Sequence, residues 1–476
     1  MMHRSHRSHR PYRLWRLGLA AAAGLLGACA VGPDYHRPPF PTTGSYKELG
    51  EWKPSEPSDA LTRGQWWTIF KDETLNELEG RVNISNENIK VAAANFEQAR
   101  GLVAQAQAGF WPTLSANFSA ARGRPEPEAP VGNEFAAGGA ANWDLDIWGA
   151  VRRTVESDRA SAESGAALLA DAQLSAQADL ATDYFELRAQ DQLQKLLDDT
   201  VVAETLSLKI TESRYKFGVA ARADVVSAET QLLASQAQQV NARIQRGILE
   251  HAIAVLMGQQ PSTFSLPRSA MRTDVPTVPP GVPSTLLERR PDVAAAERKM
   301  AAANAQIGVA TAAYFPSLTL SGSATTSADT LRQLFKSSST VWSVGPALAE
   351  TIFDGGLRRA QVAQAKAAYQ SSVASYRQTV LAGFQQVEDQ IVTLRVLEEQ
   401  AVIEDKTVKA AREAEALTLN QYKAGTVPYS SVITAQTTRL SAEQTELQVL
   451  SSRLQASVSL IEALGGGWDQ SQDALK

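Results

Sequence analysis

The sequence carries one structural plan twice, and each copy turns from a helical pattern to a strand pattern at a proline. Residues 108–115 read AGFWPTLS, and residues 312–319 read AAYFPSLT, 204 positions later. Stretches beginning at Ile147 and Arg214 recur at offsets of 206 and 207. Because three matches share a slowly drifting offset, the sequence predicts a duplicated unit of about 200 residues.

Each copy is predicted to contain a helix, two alternating segments, a very long helix, a turn and a last helix. The first helical pattern covers about 74–109 and 292–313, and the long one covers about 150–214 and 357–422. A helix of about 65 residues at 1.5 Å per residue is on the order of 100 Å long, which exceeds a globular domain. We therefore expect a coiled-coil-like assembly with a seam of small and polar residues. An elongated coiled-coil rod explains these helices equally well.

A proline stands at the end of the first helix in both copies. Pro112 and Pro316 cannot continue a helix, and the residue before each is pushed towards extended geometry. The segments that follow alternate apolar and polar residues over about the length of a strand that crosses an outer membrane. The predicted strands cover about 113–122, 138–148, 317–326 and 340–353.

Four strands are too few to close a pore. A barrel needs about eight strands, and an unpaired strand edge is not tolerated in lipid. The chain is therefore expected to oligomerise, and a homotrimer would supply twelve strands.

Aromatic residues flank both prolines, as expected where a strand enters the membrane interface. Four of them precede the prolines, and two are predicted to lie on the returning strands. They are Phe110, Trp111, Tyr314, Phe315, Trp148 and Phe353.

The first 28 residues have the composition of a secretory signal. Five arginines precede an apolar run, 17–28, that is too short for a stable membrane anchor. The only cysteine, Cys29, follows Leu26-Gly27-Ala28 and resembles a bacterial lipobox cysteine, which carries covalent lipid. An ordinary signal peptide with a chance cysteine is the alternative. Because Ala30 is not the aspartate that suggests inner-membrane retention, we expect anchoring at the outer membrane.

The composition excludes several classes of function. The net charge is −5, so no strongly basic surface argues for nucleic acid. After acylation of Cys29 no thiol remains, and His251 is the one histidine in the body of the chain. No metal-site, triad, phosphate-loop or dinucleotide motif is present. We expect neither enzymatic activity nor a cofactor or metal, apart from the lipid on Cys29.

Several specific segments resemble the TolC family, in its OprM-like branch of outer-membrane lipoproteins that serve resistance-nodulation-division (RND) efflux pumps. They are the CAVGPDY segment from Cys29, the LERRPDV segment from Leu287, the two Phe-Pro or Trp-Pro switches, and the Tyr-Lys-x-Gly turns at Tyr215 and Tyr422. The resemblance covers essentially the whole mature chain.

The resemblance implies an α+β membrane protein that forms a trimeric, passive duct for small molecules. Long helices would form a periplasmic α-barrel, and four strands per chain would contribute to a 12-stranded outer-membrane β-barrel. The implied partners are two further copies, a periplasmic adaptor protein, an inner-membrane RND pump and outer-membrane lipid.

The resemblance also implies a periplasmic gate at the ends of the helix–turn–helix hairpins. Ser430 stands where close relatives often have Leu, and Thr434 where they have Asp, which weakens the case for an acidic gate there. Asp224 either forms a carboxylate ring in a trimer or is a solvated N-terminal helix cap. Arg214 either pairs across hairpins or is solvated. The full set of candidate gate residues is Asp224, Arg214, Tyr215, Tyr422, Ser430 and Thr434.

The predicted division of the chain follows the duplication. It comprises a lipoprotein signal peptide (1–28), a lipid-anchored extended segment (29–73), a first repeat (74–257), a proline-rich linker (258–290), a second repeat (291–465) and a tail (466–476). The predicted function is an outer-membrane efflux channel. The alternatives are a duct for type I protein secretion and a structural periplasmic lipoprotein without a channel.

Overall fold

The computed structural model describes residues 30–39, 45–49, 65–124, 127–128, 130–278 and 289–466. Cys29 and the signal peptide lie outside the described residues, as do residues 279–288 of the linker and the tail from 467. The predicted lipidation therefore stays a prediction.

Most of the described chain is helical, and two helices are very long. They are Ala150–Lys216, with 67 residues, and Leu357–Ala424, with 68 residues. The prediction of mainly long helices with four strands is confirmed. None of the described helices is both long enough and apolar enough to cross a membrane. The helices are α1 (Glu73–Ser85), α2 (Glu87–Ala108), α3 (Ala150–Lys216), α4 (Arg222–Leu256), α5 (Pro291–Ala312), α6 (Leu331–Leu334), α7 (Leu357–Ala424) and α8 (Tyr429–Ala463).

The single helix predicted over 74–109 is wrong, because Asn86 divides it into α1 and α2. The Asn86 backbone is extended, with φ −65° and ψ 125°. Its side-chain oxygen accepts hydrogen bonds from the backbone N–H groups of Asn88 and Ile89, at 2.9 and 3.2 Å. Its amide donates to the carbonyl oxygen of Leu256 at 2.9 Å. Asparagine favours such local capping over a continuous helix, and here it restarts the helix.

The four strands form one antiparallel sheet in the order β1-β2-β3-β4. The β2–β3 pairing joins the hairpin of β1 and β2 to the hairpin of β3 and β4, with Trp143 opposite Leu320. Strands β1 and β4 are the edges, and Pro346 lies in β4, where a missing N–H is tolerated. The strands are β1 (Thr113–Gly123), β2 (Gly132–Leu145), β3 (Ser317–Ala328) and β4 (Thr340–Ala349).

The returning strands differ from the predicted 138–148 and 340–353. Strand β2 starts earlier because Gly132 pairs with Gly123 at the far end of β1. Both returning strands end earlier than predicted because an aspartate caps the following helix. Asp146 accepts from the N–H groups of Val151 and Arg152, and Asp354 accepts from those of Gly356 and Arg358. The residues next to each aspartate therefore lead into the first turn of a helix and do not pair in the sheet.

The chain divides into two compact units, and each takes segments from both predicted copies. The first unit comprises Met1–Pro39, Asn95–Gly165 and Ala296–Tyr376, and its described part holds the whole sheet. The second comprises Phe40–Ala94, Ala166–Ala295 and Arg377–Lys476.

An aromatic cluster lies in the core of the second unit. Trp66 and Trp67 are 5.9 Å apart and edge to face, and Phe70 lies 4.8 Å from Phe185. The Trp66 indole N–H donates to Gln177 Oε1 at 3.0 Å. The prediction that 29–73 is extended is therefore wrong for Trp66–Phe70, which form a buried 3-10 turn.

Glu79 is fully buried in the same core. Neither of its carboxylate oxygens has a hydrogen-bond partner, and burial raises its pKa to about 9. An unfolded glutamate has a pKa of about 4.3. The native state therefore holds a proton that the unfolded state releases, and stability falls as pH rises from about 4.3 to about 9.

Replacing Glu79 by glutamine should stabilise the protein by about 3 kcal/mol at pH 7 and by almost nothing at pH 4, because the amide cannot ionise. The measurement is the melting temperature in detergent at both pH values. Glu77→Gln is the matched control, because Glu77 is exposed on the same helix. Equal shifts for both variants, or no dependence on pH, would contradict the buried-acid assignment.

Candidate functional site

The six candidate gate residues lie at the ends of two helix–turn–helix hairpins, α3–α4 and α7–α8. Each turn contains a glycine with positive φ, Gly218 at +77° and Gly425 at +81°. The N–H after each glycine closes the turn, from Val219 to the Arg214 carbonyl and from Thr426 to the Gln421 carbonyl. This left-handed cap explains the repeated Tyr-Lys-x-Gly sequence, because a side chain at the glycine would be strained.

Arg214 connects the two hairpins. Its Nη1 donates to the carbonyl oxygen of Lys423 at 2.7 Å, and its guanidinium lies 4.9 Å from the centre of the Tyr422 ring. The carbonyls near the end of α7 carry partial negative charge, so a cation is favourable there. Of the two interpretations of Arg214, the structure shows the contact across hairpins.

Tyr422 belongs to a small apolar cluster between the hairpins. Its ring packs edge to face on Tyr429 at 5.1 Å, and both side chains are at least 97% buried. Ala228 and Val432 complete the buried part of the cluster. Burial raises the pKa of Tyr429 to about 12, so its hydroxyl stays neutral. Tyr429 was not among the predicted residues, although its spacing to Val432 is that of one helix face.

Asp224 caps the start of α4. Its carboxylate accepts from the backbone N–H of Ala221 at 3.3 Å, and the side chain is half-buried. Tyr215 is exposed and lies near the Arg222 guanidinium, 6.0 Å from the ring centre. The structure therefore places Asp224 and Tyr215 outside the cluster of Tyr422 and Tyr429.

Ser430 and Thr434 are exposed one helical turn apart on α8. The Thr434 hydroxyl donates to the Ser430 carbonyl at 3.1 Å, a bond within the helix. Neither side chain contacts Arg214 or Tyr422 in any hydrogen bond of the described residues.

A charged layer lies further along the hairpins and was missed in the sequence. Arg439 bonds Glu415 and Glu443, both at 2.5 Å, and Arg412 bonds Glu443 at 2.6 Å. Glu204 accepts from Gln231 at 2.9 Å, and burial raises its pKa. The i,i+4 spacing of Arg439 and Glu443 is a signal that indicates such a pair.

The predicted switch residues lie where the helices meet the sheet. Trp148 stacks on Phe315 at 4.7 Å, and its indole N–H donates to the Pro316 carbonyl at 2.8 Å. Trp143 makes the corresponding bond to Phe110, at 3.0 Å. Two indole N–H groups, one on β2 and one just after it, therefore bond the backbone at the two helix-to-strand switches.

Each strand begins at the residue after its proline, as expected for Pro112 and Pro316. Helices α2 and α5 already end at Ala108 and Ala312, so a short turn precedes each proline. The placement of Trp148 and Phe353 on the returning strands is wrong, because β2 and β4 end at Leu145 and Ala349. The capping aspartates described above end the strands first.

Within the described part of the chain, no three His, Cys, Asp or Glu side chains are grouped to hold a metal ion.

Comparison with known proteins gives matches over nearly the whole chain. The profile of the family described as outer membrane efflux protein matches residues 80–259 and 282–466. The chain is 30% identical over 469 residues to the solvent efflux pump outer membrane protein SrpC of Pseudomonas putida, covering 94% of this chain and 97% of SrpC. It is 29% identical over 461 residues to the probable efflux pump outer membrane protein TtgC of Pseudomonas putida, covering 94% and 95%. The solved structure of the outer-membrane channel OprN is 31% identical, with a TM-score of 0.85, covering 92% of this chain and 100% of OprN.

Proposed function

Because the chain belongs to the outer membrane efflux protein family, we propose that it is the outer-membrane channel of a tripartite RND-type efflux pump. In this proposal it exports small molecules from the periplasm, working with a periplasmic adaptor and an inner-membrane pump. It acts as a passive duct without enzymatic activity. Its relatives SrpC and TtgC are efflux pump outer membrane proteins and match along nearly their full length.

The observation that carries the proposal is the four-stranded sheet with two unpaired edges. Side chains of large apolar residues on its strands are exposed, among them Leu114 and Phe118 on β1 and Trp342 on β4. Lipid would cover such side chains, and edge pairing between three copies would close twelve strands. The two hairpins, one from each repeat, would then contribute equally to a β-barrel.

An apolar stripe on α4 supports assembly of three copies. Its six side chains are 46–64% exposed in the single chain and lie on one helix face. Their spacing follows the heptad pattern of helices that pack side by side. A second copy is the occupant that this spacing fits. The stripe consists of Val226, Leu233, Val240, Ile244, Ile248 and Val255.

The gate of the duct is proposed to lie at the hairpin ends, with Arg214 holding the two hairpins together. Its bond to the Lys423 carbonyl joins helices from different repeats. The exposed Ser430 and Thr434 carry no charge, and Asp224 is already engaged as a helix cap. We therefore assign the closed state to the Arg214 contact and not to an acidic ring on α8.

Replacing Arg214 by glutamine should raise the open probability of the channel about tenfold, because one charge-assisted bond between the hairpins is lost. The measurement is single-channel conductance in a planar bilayer, with the mass of the complex in detergent. Lys209→Gln is the control, since Lys209 is exposed on the same helix and loses the same charge.

Three outcomes would overturn parts of the proposal. A wild-type monomer without conductance would favour a structural lipoprotein and remove the channel itself. If the wild type forms conducting trimers, and the Arg214→Gln and Lys209→Gln variants conduct equally, the channel is retained but the Arg214 gate is removed. A channel whose assembly depends on a secretion system for whole proteins would favour the type I alternative.

A further inference from the structure

We propose that a cavity in the first compact unit, next to the start of β1, binds the headgroup of an anionic phospholipid, with Arg159 as the phosphate ligand. The inference rests on the proposed insertion of the sheet into the outer membrane. It adds a lipid site that the efflux function does not itself require.

The cavity has a volume of about 610 Å³, within the range of about 300–1,000 Å³ typical of small-molecule sites. Phe110 and Trp111 line it at the end of α2, and three arginines line it from α3 and α5. Aromatic rings beside guanidinium groups provide an apolar surface and hydrogen-bond donors together. The arginines are Arg152, Arg159 and Arg298.

Arg159 is the lining arginine for which the described residues show no carboxylate partner. Glu156 and Glu163 lie three residues before and four after it on α3, and both also line the cavity. Arg153 bonds Glu156 at 2.7 Å, and Arg298 bonds Glu163 at 3.1 Å. Within the described residues Arg159 has no ion pair or hydrogen bond from its side chain, and it is exposed. Its guanidinium therefore faces the cavity without a carboxylate partner.

The depth of the cavity matches a membrane interface. Strand β1 begins at Thr113, two residues after Trp111. The Trp111 side chain is 74% exposed, and tryptophan concentrates where headgroups meet acyl chains. Basic pockets between helices at this depth bind lipid phosphates.

Ala30 and Val31, the first residues that the structure describes, lie beside the same cavity. The Val31 N–H donates to the Trp148 carbonyl at 3.0 Å. A Cβ atom placed on Gly149 would lie 2.8 Å from the Cα and Cβ atoms of Ala30 and 3.6 Å from Arg152 Nε. Ala30 is therefore close to an arginine that lines the cavity. The sequence predicts covalent lipid one residue before Ala30. Acyl chains and the cavity are thus expected at one depth.

The site fits a phosphodiester better than a carboxylate or a neutral headgroup. Arginine forms paired hydrogen bonds with phosphate oxygens, and the acyl glycerol would lie on Phe110 and Trp111. A zwitterionic lipid would bring its ammonium group among the arginines, where the two lining carboxylates, Glu156 and Glu163, are already paired with Arg153 and Arg298. Phosphatidylglycerol, which carries one net negative charge, is the matching probe.

The test titrates dioctanoyl phosphatidylglycerol into the purified full-length complex and counts bound lipid by native mass spectrometry. We expect Arg159→Gln to weaken binding about tenfold, and Trp111→Ala to weaken it as well. Arg100→Gln is the matched control, because Arg100 is exposed on α2 and pairs with Glu97 outside the cavity. Inorganic phosphate and dioctanoyl phosphatidylcholine are titrated in parallel.

Tight binding of phosphatidylglycerol that only Arg159→Gln and Trp111→Ala weaken would support the site. Equal binding of inorganic phosphate would overturn the lipid assignment in favour of a free anion. Equal binding of phosphatidylcholine, or no effect of Arg159→Gln, would overturn the role of Arg159. Trimers that conduct normally but retain no lipid would overturn this inference alone, whereas a non-conducting monomer would overturn the proposed function.

Discussion

Replacing Asp191 by alanine should lower the free energy of unfolding by about 3–5 kcal/mol, because it leaves the buried Arg188 without its counter-charge. It also leaves Arg246 with Glu250 as its only carboxylate partner among the described residues. Asp191 bonds Arg188 at 2.9 Å and Arg246 at 2.7 Å, and the Arg188 side chain is almost fully buried. Both arginines also hold the segment after α4, through the carbonyls of Pro267 and Leu266. The variant should therefore both melt earlier and expose that segment to protease.

The measurement combines thermal melting with limited proteolysis of the complex in detergent. Asp405→Ala is the control, since Asp405 pairs with Lys409 on an exposed helix face. Exposed pairs of this kind contribute about 0.3–0.5 kcal/mol. If the Asp191→Ala and Asp405→Ala variants had the same melting temperature, the Asp191 cluster would have no special role in stability.

Replacing Ile244 by aspartate should abolish the trimer and its conductance. Ile244 lies in the middle of the exposed stripe on α4, so in the proposed trimer a carboxylate there would be buried against the neighbouring copy without a partner. An unpaired buried charge costs several kcal/mol at each interface of the proposed trimer. The measurement is the mass of the complex in detergent, followed by conductance.

Gln238→Asp is the matched control, because Gln238 is exposed on α4 but lies off the stripe. Monomers from the Ile244 variant with normal helix content would support the interface. Intact trimers from it would show that another face of α4 meets the neighbouring copy.

The start of each strand could be predicted from sequence, whereas the end of each returning strand could not. Pro112 and Pro316 act within the chain next to them, and the strands begin at the next residue. Asp146 and Asp354 act through hydrogen bonds to helix starts downstream, and a strand pattern alone does not reveal that competition. Asn86 is a similar case, since a single polar residue overrides an otherwise helical stretch.

In the candidate gate, too, local features could be predicted from sequence, whereas contacts between distant residues could not. The glycine turns that hold Tyr215 and Tyr422 are local and were predictable from the repeated Tyr-Lys-x-Gly sequence. The bond from Arg214 to Lys423 joins residues that are 209 positions apart, so the sequence left two interpretations open. Tyr429 was missed because its burial depends on the other hairpin, which packs over it.

The pairing of β2 with β3 also sets the order in which the chain can mature. Phe135 lies opposite Ala328 and Leu145 opposite Leu318, so the centre of the sheet joins residues more than 170 positions apart. An exported chain emerges from its N-terminus, so its first hairpin must wait for α3, α4, the linker and α5 before β2 gains β3 as its second neighbour. During that interval an open edge rich in apolar side chains is exposed to other chains, which favours aggregation. The β2 edge of the first hairpin is therefore exposed for as long as the chain takes to deliver β3.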